Sequence, residues 1–158
     1  MFRDIQRKKQ KLSPEECTDI LKNEKRGVLS VIGDDGYPYC FPINHFYNDS
    51  DGMIYFHSGK TGHKIDSVKN CDKVSFCVYD GGFKNENEWA LNIKSVIVFG
   101  RISIVEDFEK AIDISRRLSY KFTNDSEYIE REINTFGKAV LVLKLQSEHI
   151  TGKLVKES

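Results

Sequence analysis

The sequence predicts a mainly β protein with peripheral helices, an α+β fold built on an antiparallel barrel rather than on alternating βα units. Three observations predict it. Short β-branched runs follow one another through tight turns, as in Gly27-Val-Leu-Ser-Val-Ile-Gly33 ahead of Asp34-Asp-Gly36. Helical periodicity is concentrated at the start and late in the chain, with one short piece between. No G-x-G-x-x-G follows a strand and no Walker lysine loop is present, which disfavours dinucleotide and triphosphate folds.

The elements follow in order. Residues 1–25 read as an arm and a helix. Five basic residues and Asp4 within residues 3–11 predict a solvated arm, since no aromatic residue interleaves as it would for nucleic acid. Ser13-Pro-Glu-Glu16 has the Ser, Pro and Glu of a helix start. Residues 26–105 supply the barrel strands. Residues 27–33, 37–47 and 53–57 read as a three-strand meander, joined by Asp34-Asp-Gly36 and Asn48-Asp-Ser-Asp-Gly52. Pro38 and Pro42 place the second of these at an edge or in a kinked strand. Residues 62–70 have helical spacing and 73–79 alternate as a strand. A long strand is expected over 89–105, bulged at Gly100. A helical segment covers 107–133, an amphipathic helix over 107–122 and a second short one over 127–133, and a strand over 139–150 closes the sheet. The sum is about six strands in a single domain over residues 1–158.

Composition narrows the classes of function. The 24 basic and 24 acidic residues balance to zero, so no global charge draws the protein to nucleic acid or an acidic membrane. No apolar run approaches the roughly 20 residues of a membrane span, and the N-terminus lacks the apolar core of a signal peptide. A cytoplasmic location is expected. Cys17, Cys40, Cys71 and Cys77 form no C-x-x-C pair, so they read as incidental thiols and no metal site is expected. No Ser-His-Asp order or paired carboxylates support hydrolysis.

The densest chemistry lies in residues 53–79. There a strand ends in a turn that places His57, Ser58, Lys60, Thr61, His63 and Lys64 within eight positions. Hydroxyls, cations and imidazoles beside the free N–H groups of a helix start suit a bound phosphate. Lys64, just after Gly62, adds a point cation there. His57 could donate to a phosphate or cap its own strand. His45, among Phe41, Phe46 and Tyr47, could donate a proton or simply pack with its polar edge satisfied. Trp89 could cover a cofactor ring, anchor an interface or plug the core.

Several motifs, in order, resemble a known family: Arg26-Gly-Val-Leu-Ser30, Pro38-Tyr39, Pro42-Ile-Asn44, Ile54-Tyr-Phe-His-Ser58, Gly62-x-Lys64-x-Asp66, Val74-x-Phe76, Ser95-Val-x-Val-x-Gly100 and Ile150-Thr-Gly-Lys153. Together they resemble the pyridoxamine 5'-phosphate oxidase-like flavoproteins, and within them the nitroimidazole-resistance branch. The resemblance implies a split β-barrel binding FMN at a homodimer interface. It implies a phosphate held by His57, Ser58, Thr61, Gly62, His63 and Lys64, and a flavin ring along Pro42, Ile43 and Asn44. Ser95 would reach the partner's flavin. A nicotinamide donor and a small acceptor, a nitroaromatic compound being one candidate, complete the implied reaction, with a flavin carrier or a haem-binding split barrel as alternatives. Pyridoxamine-phosphate oxidases carry an Arg-rich segment near the C-terminus, whereas no arginine follows Arg131 here, so vitamin B6 oxidation is not expected.

Overall fold

The computed structural model describes residues 1–157. Seven strands form one curled, wholly antiparallel sheet: β1 (Arg26–Ile32), β2 (Pro38–Asn44), β3 (Phe46–Asn48), β4 (Met53–Gly59), β5 (Lys73–Tyr79), β6 (Leu91–Ile104) and β7 (Val140–Glu157). Their spatial order is β2-β1-β5-β6-β7-β4-β3. The helices are α1 (Pro14–Asn23), α2 (His63–Asn70), α3 (Phe108–Ser119) and α4 (Ser126–Phe136).

The expected meander is corrected. β1 and β2 form the predicted hairpin, its turn carrying Asp35 and Gly36 at positive φ. The predicted 37–47 strand, however, breaks at His45, and β3 and β4 lie at the opposite edge of the sheet. β4 pairs with β3 and β7, never with β2. The break is held from several sides. His45 is fully buried against Phe76 and hydrogen-bonds through Nε2 to the Leu21 carbonyl at 2.8 Å. Lys121 donates to the carbonyls of His45 (3.0 Å) and Glu24 (2.6 Å), tying the crossover to the start of β1. Alternation along the chain shows that both pieces are strands; it does not show which edge each piece joins.

β7 is longer than the expected closing strand. It pairs with β6 over 14 residues of that strand and with β4 on its other side, so it sits inside the sheet. The register shifts between Phe99 and Gly100, the bulge expected from the sequence. A Cβ at Gly100 would lie 2.1 Å from the Gln146 carbonyl oxygen, so only glycine permits this approach. The curled sheet encloses Leu29, Val31, Phe56, Phe76, Val98 and Leu145, with Leu21 from α1 and Ile65 from α2. A smaller cluster of Tyr55, Ile114 and Val142 joins α3 to the sheet's other face.

The 107–133 segment holds the two helices expected, capped by Asp107 and Asp125. Other expectations shift in detail. The arm is not simply solvated: Phe2 stacks on His149 (5.0 Å) and Phe99 (5.6 Å), and Asp4 pairs with Lys8 and Lys11. Trp89 precedes β6 and is 74% exposed, which removes the core-plug role. Among the described residues no helix is long and apolar enough to cross a membrane. Among the described residues the four cysteines are free, and no group of three or more metal-ligating side chains gathers.

Candidate functional site

The curl of the sheet brings β2 and β4 together although they stand on different sides of the central strands. Pro42, Ile43 and Asn44 from β2, Arg26 from β1 and His57 from β4 line one cleft of about 370 Å³. Arg26 Nε donates to Asn44 Oδ1 at 2.9 Å, which orders that wall. A wider hollow of about 590 Å³ shares Arg26 and Pro42 and continues past Val28, Tyr79 and Asp80.

Helix α2 bridges the same gap. Its preceding residue, Gly62, has φ +112° with open space where a Cβ would be, a conformation that favours glycine. From there the first N–H groups of α2 lack intrahelical partners. His63 stacks on Tyr39 of β2 at 4.1 Å, and its Nε2 lies 3.6 Å from Asp34 Oδ2. The Lys64 ammonium lies over the Phe41 ring at 5.2 Å. Both side chains therefore lean from the turn onto β2. His57 is exposed at the end of β4, where the surrounding protein and then the Lys64 charge hold its pKa below the ordinary histidine value. A neutral imidazole beside an ammonium is the result.

The predicted residues divide clearly. Pro42, Ile43, Asn44 and His57 meet at the cleft, while Ser58, Thr61, Gly62, His63 and Lys64 follow on the adjoining turn and helix. Ser95 is not brought there. It lies on β6 opposite Tyr79 and Lys153, on the outer face of the sheet. His45 does not reach the cleft either. Burial first, and then the Lys121 charge, push its pKa down to about 4, so it is a neutral packing group at the crossover. The ring packs in the core, with Nε2 bonded to the Leu21 carbonyl and Nδ1 left without a partner.

Sequence reasoning missed Arg26 as a site residue. Its place at the head of a strand resembles an ordinary solvated cation, and its meeting with Asn44 depends on the β1–β2 register. It also missed the wall contributed by α3 and α4. His57 borders a second cavity of about 230 Å³, lined by Ser115, Leu118, Tyr128, Ile129, Glu132 and Phe136 among others.

With this geometry in place, a model of the pyridoxamine 5'-phosphate oxidase family matches residues 13–154. The chain belongs to that family. Solved structures share the family fold with this pyridoxamine 5'-phosphate oxidase relative at low identity. A candidate 5-nitroimidazole antibiotic resistance protein from Bacteroides thetaiotaomicron superposes with a TM-score of 0.77 at 19% identity, covering 93% of this chain and 87% of that one. A FAD-binding protein from Mesorhizobium loti gives 0.66 at 22%, with coverages of 92% and 97%. A FAD and haem binding protein from Mycobacterium smegmatis gives 0.72 at 18%, with coverages of 92% and 73%. No curated protein matches this family member in sequence. Its curled antiparallel half-barrel with peripheral helices is thus the family fold, shared with these structures, two of which are named for binding FAD.

Proposed function

We propose that the protein binds FMN in the cleft between β2 and β4, and acts as an NAD(P)H-dependent reductase of a small acceptor. The observation that carries this reading is the convergence of a helix N-terminus, Lys64 and His63 on the same β2 strand whose Pro42–Asn44 end lines the cleft. These residues fit a flavin phosphate. Gly62 leaves the backbone open, α2 presents N–H groups, and Lys64 supplies a cation 5.2 Å from the Phe41 ring. Ser58 and Thr61 add hydroxyls on the intervening turn. Arg26 and Asn44 offer polar groups at the ring end of the cleft. The bound cofactor would supply two-electron redox chemistry, taking a hydride from reduced nicotinamide and reducing an acceptor.

A homodimer completes the proposal. The outer face of the sheet presents Ser30, Cys40, Ser75, Cys77, Ile97 and Phe99 on paired strands, with no charge among them. Lys73 and Arg101 mark one end and Lys153 the other. An uncharged centre with a charged rim is suited to a partner surface. Val28, Pro42 and Tyr79 belong both to this face and to the wider hollow. A flavin in the cleft would therefore border a second copy, and Ser95 of this chain would serve the partner's site. Cytoplasmic residence fits the nicotinamide donor.

One observation favours a second reading, flavin binding without turnover. His45, the candidate proton donor, is enclosed in the core. The absorption spectrum of the purified protein, followed by titration of the apoprotein with FMN, tests the cofactor. A flavin spectrum with saturable 1:1 binding is expected; a haem spectrum, or no flavin uptake, overturns the proposal. Oxidation of NADH or NADPH by the loaded protein with an added acceptor then separates a reductase from a carrier.

A further inference from the structure

The cavity beside His57 carries chemistry that flavin binding does not use. Its floor is His57 and Val140 from paired strands β4 and β7, and its walls are α3 and α4. Leu118, Ile129 and Ile133 make it apolar, while the aromatic faces of Tyr128 and Phe136 stand near its mouth, 45% and 55% exposed.

Three features set its charge preference. Glu132 lines the cavity, is half-buried, and makes no ion pair or hydrogen bond among the described residues. Its neighbour on the same helix, Glu130, is by contrast paired with Arg116. Among the described residues no lysine or arginine lines the cavity; Arg131, next to Glu132 on that helix, lies over the Tyr128 ring at 5.4 Å. Finally, the buried Ser115 hydroxyl in the wall has no hydrogen-bond partner and leaves one polar group unmet.

An unpaired carboxylate beside two aromatic rings, with apolar residues behind, is the arrangement that recognises an organic cation. We infer that this cavity selects a small single-ring organic cation, with Glu132 as the residue that sets the charge preference. At about 230 Å³ it is smaller than the roughly 300–1,000 Å³ typical of drug-sized sites, which restricts the ligand to one ring. A carboxylate or phosphate on the ligand would meet Glu132, with no lysine or arginine in the described lining to offset it. Because His57 walls both this cavity and the cleft, the ligand would lie next to a flavin ring along Pro42–Asn44. Only its placement beside a flavin rests on the FMN reading; its binding does not.

Calorimetric titration with benzyltrimethylammonium and with benzoate tests the inference, in the wild type and in Glu132→Gln. The cation should bind the wild type and the anion should not. Glu132→Gln should weaken cation binding about tenfold, the order of a desolvated charge contact. Its FMN titration should match that of the wild type, which shows that the variant is folded. Tyr128→Leu, at the mouth, should weaken the cation severalfold without giving the site affinity for benzoate. Benzoate binding as tight as the cation, or cation affinity unchanged in Glu132→Gln, overturns the inference. Cation binding by a protein that takes up no FMN would sustain the cavity's preference and sink the flavin reading instead.

Discussion

His45 and Lys64 show how little a residue's neighbours in sequence say about its work. Aromatic neighbours do not reveal that His45 is sealed in the core, nor polar ones that Lys64 leans over the Phe41 ring of β2. His45 has a folded pKa of about 4 against 6.5 for a free histidine. Between those values the unfolded chain binds more protons than the folded one. Stability is therefore lost as pH falls through about 6.5, and the loss is complete below about 4, near 3 kcal/mol in all. Unfolding midpoints measured across that range should show this acid limb, and His45→Gln should flatten it while lowering stability at neutral pH. An unaltered limb would place the acid sensitivity elsewhere. For Lys64, replacement by alanine should weaken FMN binding by about 1.5–3 kcal/mol and leave the melting temperature of the apoprotein nearly unchanged. Unchanged flavin affinity in that titration would remove Lys64 from the phosphate site.

At the level of elements, local signals were strongest where a single turn of backbone decides the outcome. Ser13 and Glu16 form the full capping box read from their spacing, with both reciprocal hydrogen bonds present. Ser13→Ala should cost about 1 kcal/mol by chemical denaturation, the ordinary worth of such a cap. Gly100 was legible as a bulge because a lone glycine interrupts an otherwise β-branched strand. What the strand could not reveal is the partner that makes glycine necessary. The Gln146 carbonyl stands where a Cβ would go, so Gly100→Ala should destabilise the β6–β7 pair by about 1–3 kcal/mol or more. A thermal midpoint equal to wild type would show that the bulge relaxes freely. The break at His45 had no comparable local sign. Pro42 marks an edge, but the jump from one edge of the sheet to the other is fixed by Leu21 and Lys121, which lie far from it in sequence.

Across the whole molecule, the curl of the sheet is what makes the cleft. It sets β2 against β4, lets α2 cross the gap, and leaves an outer face with an uncharged centre beside the cleft. Phe99→Glu, in the middle of that face, should convert the proposed dimer to monomer in sedimentation analysis and weaken FMN binding with it. A wild-type protein that sediments as a monomer, or a Phe99→Glu variant that remains dimeric, would reject this face as the interface. Phe99 also stacks with Phe2, so the arm lies close to the same face, a placement that the charges of residues 3–11 concealed.

The sequence by itself determined the antiparallel strand content, the caps and turns, and the donor-rich segment from His57 to Lys64. These depend on periodicity, backbone preference and residue chemistry within a few positions. The order of the strands, the burial of His45, the pairing of Arg26 with Asn44 and the α3–α4 cavity with its unpaired Glu132 were decided by tertiary structure alone. Each arises from contacts between residues distant in the chain, chosen by how the curled sheet closes over its core, and no local pattern encodes that closure.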